Sequence, residues 1–322
     1  IMRDLAAAGK TIIVITHKLK EIKASSNTCT IIRRGRYVGE VNVADVSEEQ
    51  LADMMVGHHV NLTVEKTPAC PGEPIFEIND LHVNDERGIE TVRGLNLSVR
   101  AGEIVGLAGI DGNGQKELVE AITCLTRATA GTVRVRGAEI QNTSPRCVLD
   151  HKVATIHEDR QRRGLVLPFT VAENTVLENY RTPEFGRRGV LDRTRMHEYA
   201  EQLIGDYDIR PADCADKSAA GLSGGNQQKV IIAREVSSNP DVLIAVQPTR
   251  GLDVGAIEYV HRALVAERDR GTAILLISLE LDEIMSVADT VCVIAGGQIA
   301  GTFKQGEADE GQIGLLMAGG EA

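Results

Sequence analysis

Apolar positions along the chain follow two rhythms. Thr11–Ile15, Val153–Ile156, Val242–Val246 and Ala273–Ile277 are short, mostly apolar runs bounded by polar or turn residues, the pattern of strands buried on both faces. Val99–Ala108 reads as a turn feeding another buried strand, and Ile75–Val83 as a further strand. Between them apolar residues recur at helical spacing. This predicts helices over Gln115–Thr123 (through Leu118, Val119 and Ile122), Arg195–Tyr207, Gln227–Val236, Ile257–Arg270 and Leu281–Ser286. Thr290–Ile294 and Gln298–Phe303 form a predicted hairpin around Gly296-Gly297. Strands alternating with helices argue for an α/β fold.

Part of this pattern occurs twice. Gly9–His17 can be laid on Gly271–Leu279 without a gap, at an offset of 262 residues (279 − 17). The same offset pairs Leu19 with Leu281, Glu21 with Glu283, Ile22 with Ile284, Gly35 with Gly297, Gly39 with Gly301, Met55 with Met317 and Gly57 with Gly319. A period this long marks a duplicated domain and not a solenoid unit. The expectation is that residues 1–66 are the C-terminal remnant of a first domain, cut from a longer polypeptide. Residues 67–74, rich in proline, form a linker that favours extended chain, and residues 75–322 are a second domain. Thr11–Thr16 should then expose unpaired strand edges or pair elsewhere, because the sheet they belong to is absent.

Composition narrows the class. With 322 residues and 43 % hydrophobic content, a sizeable core can form. No apolar run approaches the ~20 residues that span a bilayer. The formal net charge of −11 disfavours a nucleic-acid backbone as partner. Six scattered cysteines with no C-x-x-C pair suit a reducing compartment, and neither they nor His58, His59, His151 and His157 have ligand spacing for a metal.

Residues 109–117 read Gly-Ile-Asp-Gly-Asn-Gly-Gln-Lys-Glu. The phosphate-binding pattern is G-x-x-x-x-G-K-[S/T]. Gly109 and Gly114 stand at the required spacing, and Gly112 keeps the backbone permissive. Gln115 fills the lysine slot and Lys116 the hydroxyl slot that ligates Mg²⁺. Further on, Leu222-Ser-Gly-Gly-Asn226 opens a predicted helix, and Pro248-Thr-Arg-Gly-Leu-Asp253 follows the next strand. With Gly102–Gly109, Glu158-Asp-Arg160 and Gly164-Leu165, this order resembles the nucleotide-binding subunits of ABC transporters over essentially the whole chain. It is most similar to the tandem-domain subunits of sugar and nucleoside importers. The resemblance implies a P-loop NTPase fold of ABC type, with an antiparallel β subdomain and an α-helical subdomain carrying the signature.

Against that family pattern the second domain lacks several hydrolytic groups. The strand before Pro248 should end in Asp-Glu and ends in Val246-Gln247. The switch histidine slot holds Leu279, whereas the first copy keeps His17 there. Glu158 stands where a glutamine would contact Mg²⁺ and water. No aromatic residue lies between Phe76 and Gly109 to stack on adenine, and His82 is the nearest substitute. An alternative is that Lys116 swings round to replace the missing lysine.

The signature is intact, and in ABC dimers each ATP is sandwiched between one domain's phosphate loop and the other's signature. The resemblance therefore implies that Ser223, Gly224, Gly225 and Asn226 meet the γ-phosphate of ATP and Mg²⁺ held by the first domain, assisted by the helix dipole. His17 belongs to that same site, with a satisfied core histidine as the plainer alternative. Asp253 is read as crossing the dimer interface and equally as a helix N-cap. Arg160, Arg162 and Arg163 form either a solvated basic loop or a phosphate contact. The stretch from Glu158 to about Leu177, with apolar Leu165–Phe169, implies a surface for the membrane subunits.

The reading is thus an importer's energy subunit: an ATPase when complete and inactive as this piece. It would be peripheral on the cytoplasmic face of the membrane, partnered by transmembrane permease subunits and, indirectly, by an extracellular substrate-binding protein. A soluble tandem ATPase acting on ribosomes or DNA is disfavoured by the acidic balance, the short linker and the lone cysteines. Ala245–Arg250 and Ser278–Leu281 look more like nucleoside than ribose-type importers.

Overall fold

The computed structural model describes residues 1–33, 35–59 and 64–320. The chain divides into two compact units, Ile1–Val64 with Gly251–Tyr259, and Glu65–Arg250 with Val260–Ala322. Residues 60–63 and 321–322, which the sequence assigns to the first and second domains, lie outside the described residues.

The first unit runs α1 (Met2–Ala7), α2 (Leu19–Ser25), an antiparallel hairpin of β1 (Thr28–Arg33) and β2 (Arg36–Asn42), and α3 (Glu48–Val56). Ser47 and Gln50 cap α3 reciprocally, and Gly57 ends it at φ 95°, a conformation that costs a glycine little. Leu19, Ile22, Ile31, Val43, Leu51 and Ala52 pack together with Val254 as its small core.

Among the described residues the second unit holds two large sheets and one two-stranded ribbon. β3 (Pro74–Asn84), β4 (Glu90–Arg100), β6 (Ala128–Val135) and β7 (Ala138–Glu139) form an antiparallel sheet in the order β4-β3-β6-β7. β5 (Ile104–Ala108), β8 (Val153–Ile156), β11 (Val242–Val246), β12 (Ala273–Ser278), β13 (Thr290–Ala295) and β14 (Gln298–Lys304) form the other, ordered β14-β13-β5-β12-β11-β8. It is parallel except for the β13–β14 hairpin. Its central strands are buried along their whole length, which is why they read as unbroken apolar runs. Helices α4 (Gln115–Ile122), α5 (Pro145–Asp150), α6 (Val171–Thr175), α7 (Arg193–Asp206), α8 (Gly224–Ser237), α9 (Val254–Asp269, of which the part up to Tyr259 belongs to the first unit), α10 (Leu281–Val287) and α11 (Glu310–Met317) alternate with the strands. A short ribbon, β9 (Gly186–Arg187) with β10 (Val190–Leu191), precedes α7. α7 and α8 start two or three residues before their apolar periodicity does, because Asp192 and Ser223 supply the capping oxygens.

The sequence repeat recurs in the structure, element for element. α2 and α10 start 262 residues apart (281 − 19), as do β1 and β13 (290 − 28), β2 and β14 (298 − 36), and α3 and α11 (310 − 48). Even the slip in hairpin register recurs, between Ile31 and Ile32 in one copy and between Val293 and Ile294 in the other.

One element breaks the parallel and corrects the sequence reading. Thr11–Ile15 is not a buried strand: it has no regular structure, with Ile13 88 % and Ile15 99 % exposed. Its counterpart β12 pairs with β5 on one side and β11 on the other. Among the described residues nothing in the first unit plays either part, so the run has no ladder to join. Burying each such Ile or Leu is worth about 1.5–3 kcal/mol, and that gain is realised only in β12.

The expected linker is pinned to the second unit. Lys66 Nζ donates to the Val287 and Ala288 carbonyls at 2.8 and 2.9 Å and to Asp289 Oδ1 at 2.7 Å. Arg268, 1 % exposed, donates to the same Oδ1 at 3.0 Å and to the Thr67 carbonyl at 3.0 Å. Gly72 and Glu73 exchange backbone hydrogen bonds with Ala101.

Candidate functional site

The glycine-rich turn after β5 keeps the shape of an anion cradle. Gly112 and Gly114 have φ of 89° and 98°, so successive N–H groups curl inward ahead of α4. Gly114 must be glycine twice over, since a Cβ would also lie 2.6 Å from the Thr91 carbonyl oxygen. At Gly109 a Cβ would meet Gln115 Nε2 and Ile294 Cγ2, each at 2.6 Å. Asn113 ties the turn to β13 by donating to the Ile294 carbonyl at 3.2 Å and accepting from Gly296 N–H at 3.1 Å.

The side chains of the cradle are turned away from phosphate chemistry. Gln115 is buried, and its Nε2 donates to the Ile110 carbonyl at 3.1 Å. Lys116 points to solvent and faces Glu86 at 3.6 Å, an exposed pair worth little. The lysine-substitution alternative therefore has no support in this geometry. Gln247, at the Mg²⁺ end of β11, adopts φ 48° and hydrogen-bonds through its backbone N–H to the Ile277 carbonyl. Leu279 is 41 % exposed and offers no polar group. Glu158 pairs with the Arg250 guanidinium. His82 is held between Glu90, at 2.6 Å, and Asp80, at 3.3 Å, and the Glu90 hydrogen bond raises its pKa above the ordinary value. These residues do not fit a hydrolytic Mg²⁺–ATP centre.

The signature turn is arranged differently. Ser223 is the N-cap of α8; its Oγ accepts from Asn226 Nδ2 at 2.9 Å and stays exposed. Asn226 Oδ1 takes the Arg210 N–H at 2.7 Å, which orients the side chain. The N–H groups of Gly224 and Gly225 belong to the first turn, whose donors have no intrahelical acceptor. Gln227 and Gln228, both buried, anchor the helix by donating to the Ala219 carbonyl at 3.0 Å and the Pro248 carbonyl at 2.8 Å. A hydroxyl, unpaired N–H groups and a helix N-terminus on one rigid turn fit a phosphate.

Residues 92–250 match the family model for the ABC transporter. This segment is an ABC transporter ATP-binding domain. The cassette fold is shared with a dimeric bacterial ABC transporter cassette at a TM-score of 0.62 and 20 % identity, covering 72 % of this chain and 99 % of that one. Over 320 residues the chain is 49 % identical to the nucleoside import ATP-binding protein NupA of Lactococcus lactis subsp. cremoris (strain MG1363), covering 99 % of this chain and 63 % of the relative. Over 319 residues it is 49 % identical to the guanosine import ATP-binding protein NupO of Bacillus subtilis (strain 168), covering 99 % and 62 %. The chain thus spans less than two thirds of the length of either relative.

Two sequence-predicted residues, His17 and Asp253, belong to the first unit. His17 is partly buried just before α2. Asp253 Oδ1 accepts the Ala256 N–H at 2.9 Å, which bears out its reading as a helix cap. No helix among the described residues is long and apolar enough to cross a membrane.

A buried ion cluster behind the ABC signature went unread in the sequence. Arg234 donates to Glu235 Oε1 at 2.7 Å and to the Gly164 carbonyl at 2.9 Å, and Glu178 lies 3.8 Å away. Burial raises the Glu178 pKa, while burial, then Arg163 and Arg234, push His157 down to about 4. The sequence of α8 hides this cluster, because charges at buried helix positions look like solvent-facing ones.

Proposed function

We propose that this chain belongs to the ATP-binding subunit of an ABC importer that energises nucleoside uptake. The observation that carries the reading is a contrast within one cassette: a phosphate loop in which Gln115 is buried and bonded to the Ile110 carbonyl, and a signature turn whose Ser223 is exposed at the N-terminus of α8. The second domain supplies Ser223, Gly224, Gly225 and Asn226 in trans to ATP and Mg²⁺ held by a first domain. Residues 1–66 are the end of that first domain, an assignment supported by the element-for-element repeat at an offset of 262 residues (279 − 17). His17 acts at the same ATP from the first domain's side, and Asp253 faces the partner domain. Transmembrane permease subunits and, through them, an extracellular substrate-binding protein complete the assembly, with the subunit peripheral on the cytoplasmic face. Nucleosides are favoured over simple sugars because relatives named for nucleoside and guanosine import share 49 % identity. Deleting the subunit's gene should abolish uptake of labelled guanosine and leave ribose uptake at the parental level. The opposite pattern would overturn the substrate class.

The second domain's own site is not hydrolytic. Five groups are missing: the loop lysine, the loop hydroxyl, both carboxylates at the end of β11 and the switch histidine. Each charge-assisted contact is worth roughly 1.5–3 kcal/mol, so no single restoration recovers the sum. The 322-residue chain should hydrolyse ATP at the background rate, and Gln115→Lys should leave it there. Mg²⁺-dependent turnover by a preparation free of other ATPases would contradict this.

A further inference from the structure

The turn that follows Glu158 is fitted along one face of the signature helix. Arg160–Gly164 is a single π-helical turn, capped by Asp159, whose Oδ1 accepts from Gln161 and Arg162 N–H. Its contacts on α8 fall at Gly224, Gln227, Ile231 and Arg234, spaced so that they share one side of a helix. Gln161 Nε2 donates to Gln227 Oε1 at 3.2 Å, and the Gly164 carbonyl accepts from Arg234 at 2.9 Å. A Cβ on Gly164 would lie 2.6 Å from Ile231 Cδ1, so this end of the turn packs closely on α8.

At the other end lies Arg160. A Cβ on Gly224, the first residue of α8, would lie 2.8 Å from Arg160 Nη2 and 3.4 Å from its Cζ. The guanidinium therefore rests on the signature backbone itself, in the space a side chain at Gly224 would enter. From there Nη1 donates to the Arg250 carbonyl at 2.8 Å, in the turn that follows β11. The Arg250 guanidinium returns to Glu158. One side chain thus bridges three segments: the turn after β8, the start of the signature helix and the turn after β11.

Local stability does not account for this placement. A cation at a helix N-terminus opposes the helix dipole. Arg160 Nε is also buried without a hydrogen-bond partner. Unfavourable arrangements of this kind persist where surrounding structure holds them for a function.

We propose that Arg160 is a positioning residue for the signature: its guanidinium fixes the first turn of α8 against the turn after β11, so that the Ser223 hydroxyl and the Gly224 and Gly225 N–H groups are aimed as one rigid unit. This rests on the reading above, in which the signature serves ATP held by the other domain. Arg160 acts through Ser223, Gly224 and Gly225 and takes no part in holding the nucleotide, so its loss bears on turnover more than on ATP affinity.

The test uses the complete subunit in its assembled transporter, with ATPase rates measured across ATP concentration, and thermal unfolding of the same variants. Arg160→Ala should lower kcat by about tenfold or more, the scale of a small misplacement at a reacting centre. KM for ATP should stay within about twofold, as expected when an interaction made only in the transition state is removed. Arg160→Lys, which keeps the charge but cannot cover Gly224 and reach the Arg250 carbonyl together, should recover only part of kcat. Gly224→Ala should lower kcat in the wild-type background and have little further effect alongside Arg160→Ala, since neighbours in contact are non-additive. A purely structural Arg160 would instead lower the unfolding temperature and leave kcat per folded molecule unchanged. Wild-type kcat in Arg160→Ala, with Ser223→Arg inactive, overturns the proposal and leaves the trans reading intact. An active Ser223→Arg overturns the trans reading. Should Arg160→Ala not fold, wild-type kcat in Arg160→Lys, or strictly additive effects of Arg160→Lys and Gly224→Ala, overturns the proposal.

Discussion

In the complete subunit, Ser223→Arg or Gly225→Asp should reduce ATPase turnover to background, although under the proposed reading neither residue lies in the domain that hydrolyses. The expectation separates function from folding. Ser223 is exposed, so an arginine there extends into solvent at the expense of a helix cap, about 1 kcal/mol. Gly225 is in the first turn of α8, where an acidic residue suits the helix dipole and the fold gains slightly. Facing a γ-phosphate, the same carboxylate is repelled: at ~4 Å and an effective dielectric near 20, like charges cost about 4 kcal/mol. That corresponds to roughly a thousandfold in rate. Unfolding temperatures near wild type with turnover lost would support the trans assignment. Turnover retained in both variants would remove it.

The sheet was the most legible part of the molecule. β5, β11 and β12 are buried on both faces, so their residues had to be apolar without interruption. Helix starts were less legible, because Asp192 and Ser223 act through single capping oxygens that carry no periodicity. Thr11–Ile15 was read as a strand because its composition is that of β12, and it is irregular instead; its exposure agrees with the missing sheet that the repeat implies. Which residues occupy the slots of the motif was readable directly. What the sequence could not show was where the replacements point, such as Gln115 closing onto the Ile110 carbonyl. Nor did it show the side chains that brace the signature from behind. Arg160, Gln227, Gln228 and Arg234 are polar residues whose partners are distant in sequence, and no local pattern announces them.

His17→Ala should cost the complete subunit about ten- to a hundredfold in turnover, and Leu279→Ala should cost almost nothing. The two positions are the same place in two copies, 262 residues apart (279 − 17). Both precede a helix that starts two residues later, α2 at Leu19 and α10 at Leu281. Both sit inside the same small turn: Lys18 N–H donates to Thr16 Oγ1 at 3.1 Å, and Glu280 N–H to Ser278 Oγ at 3.1 Å. The backbone is therefore prepared alike, and only the side chain differs. An imidazole can donate to a γ-phosphate, a contact to a charged group worth about 1.5–3 kcal/mol, which sets the expected loss. Leu279 has no such group, and with its side chain already 41 % exposed its truncation removes little packing. ATPase rates of the two variants in the assembled transporter decide the matter. Equal losses would mean that the two sites are not divided between an active first domain and a signature-donating second one.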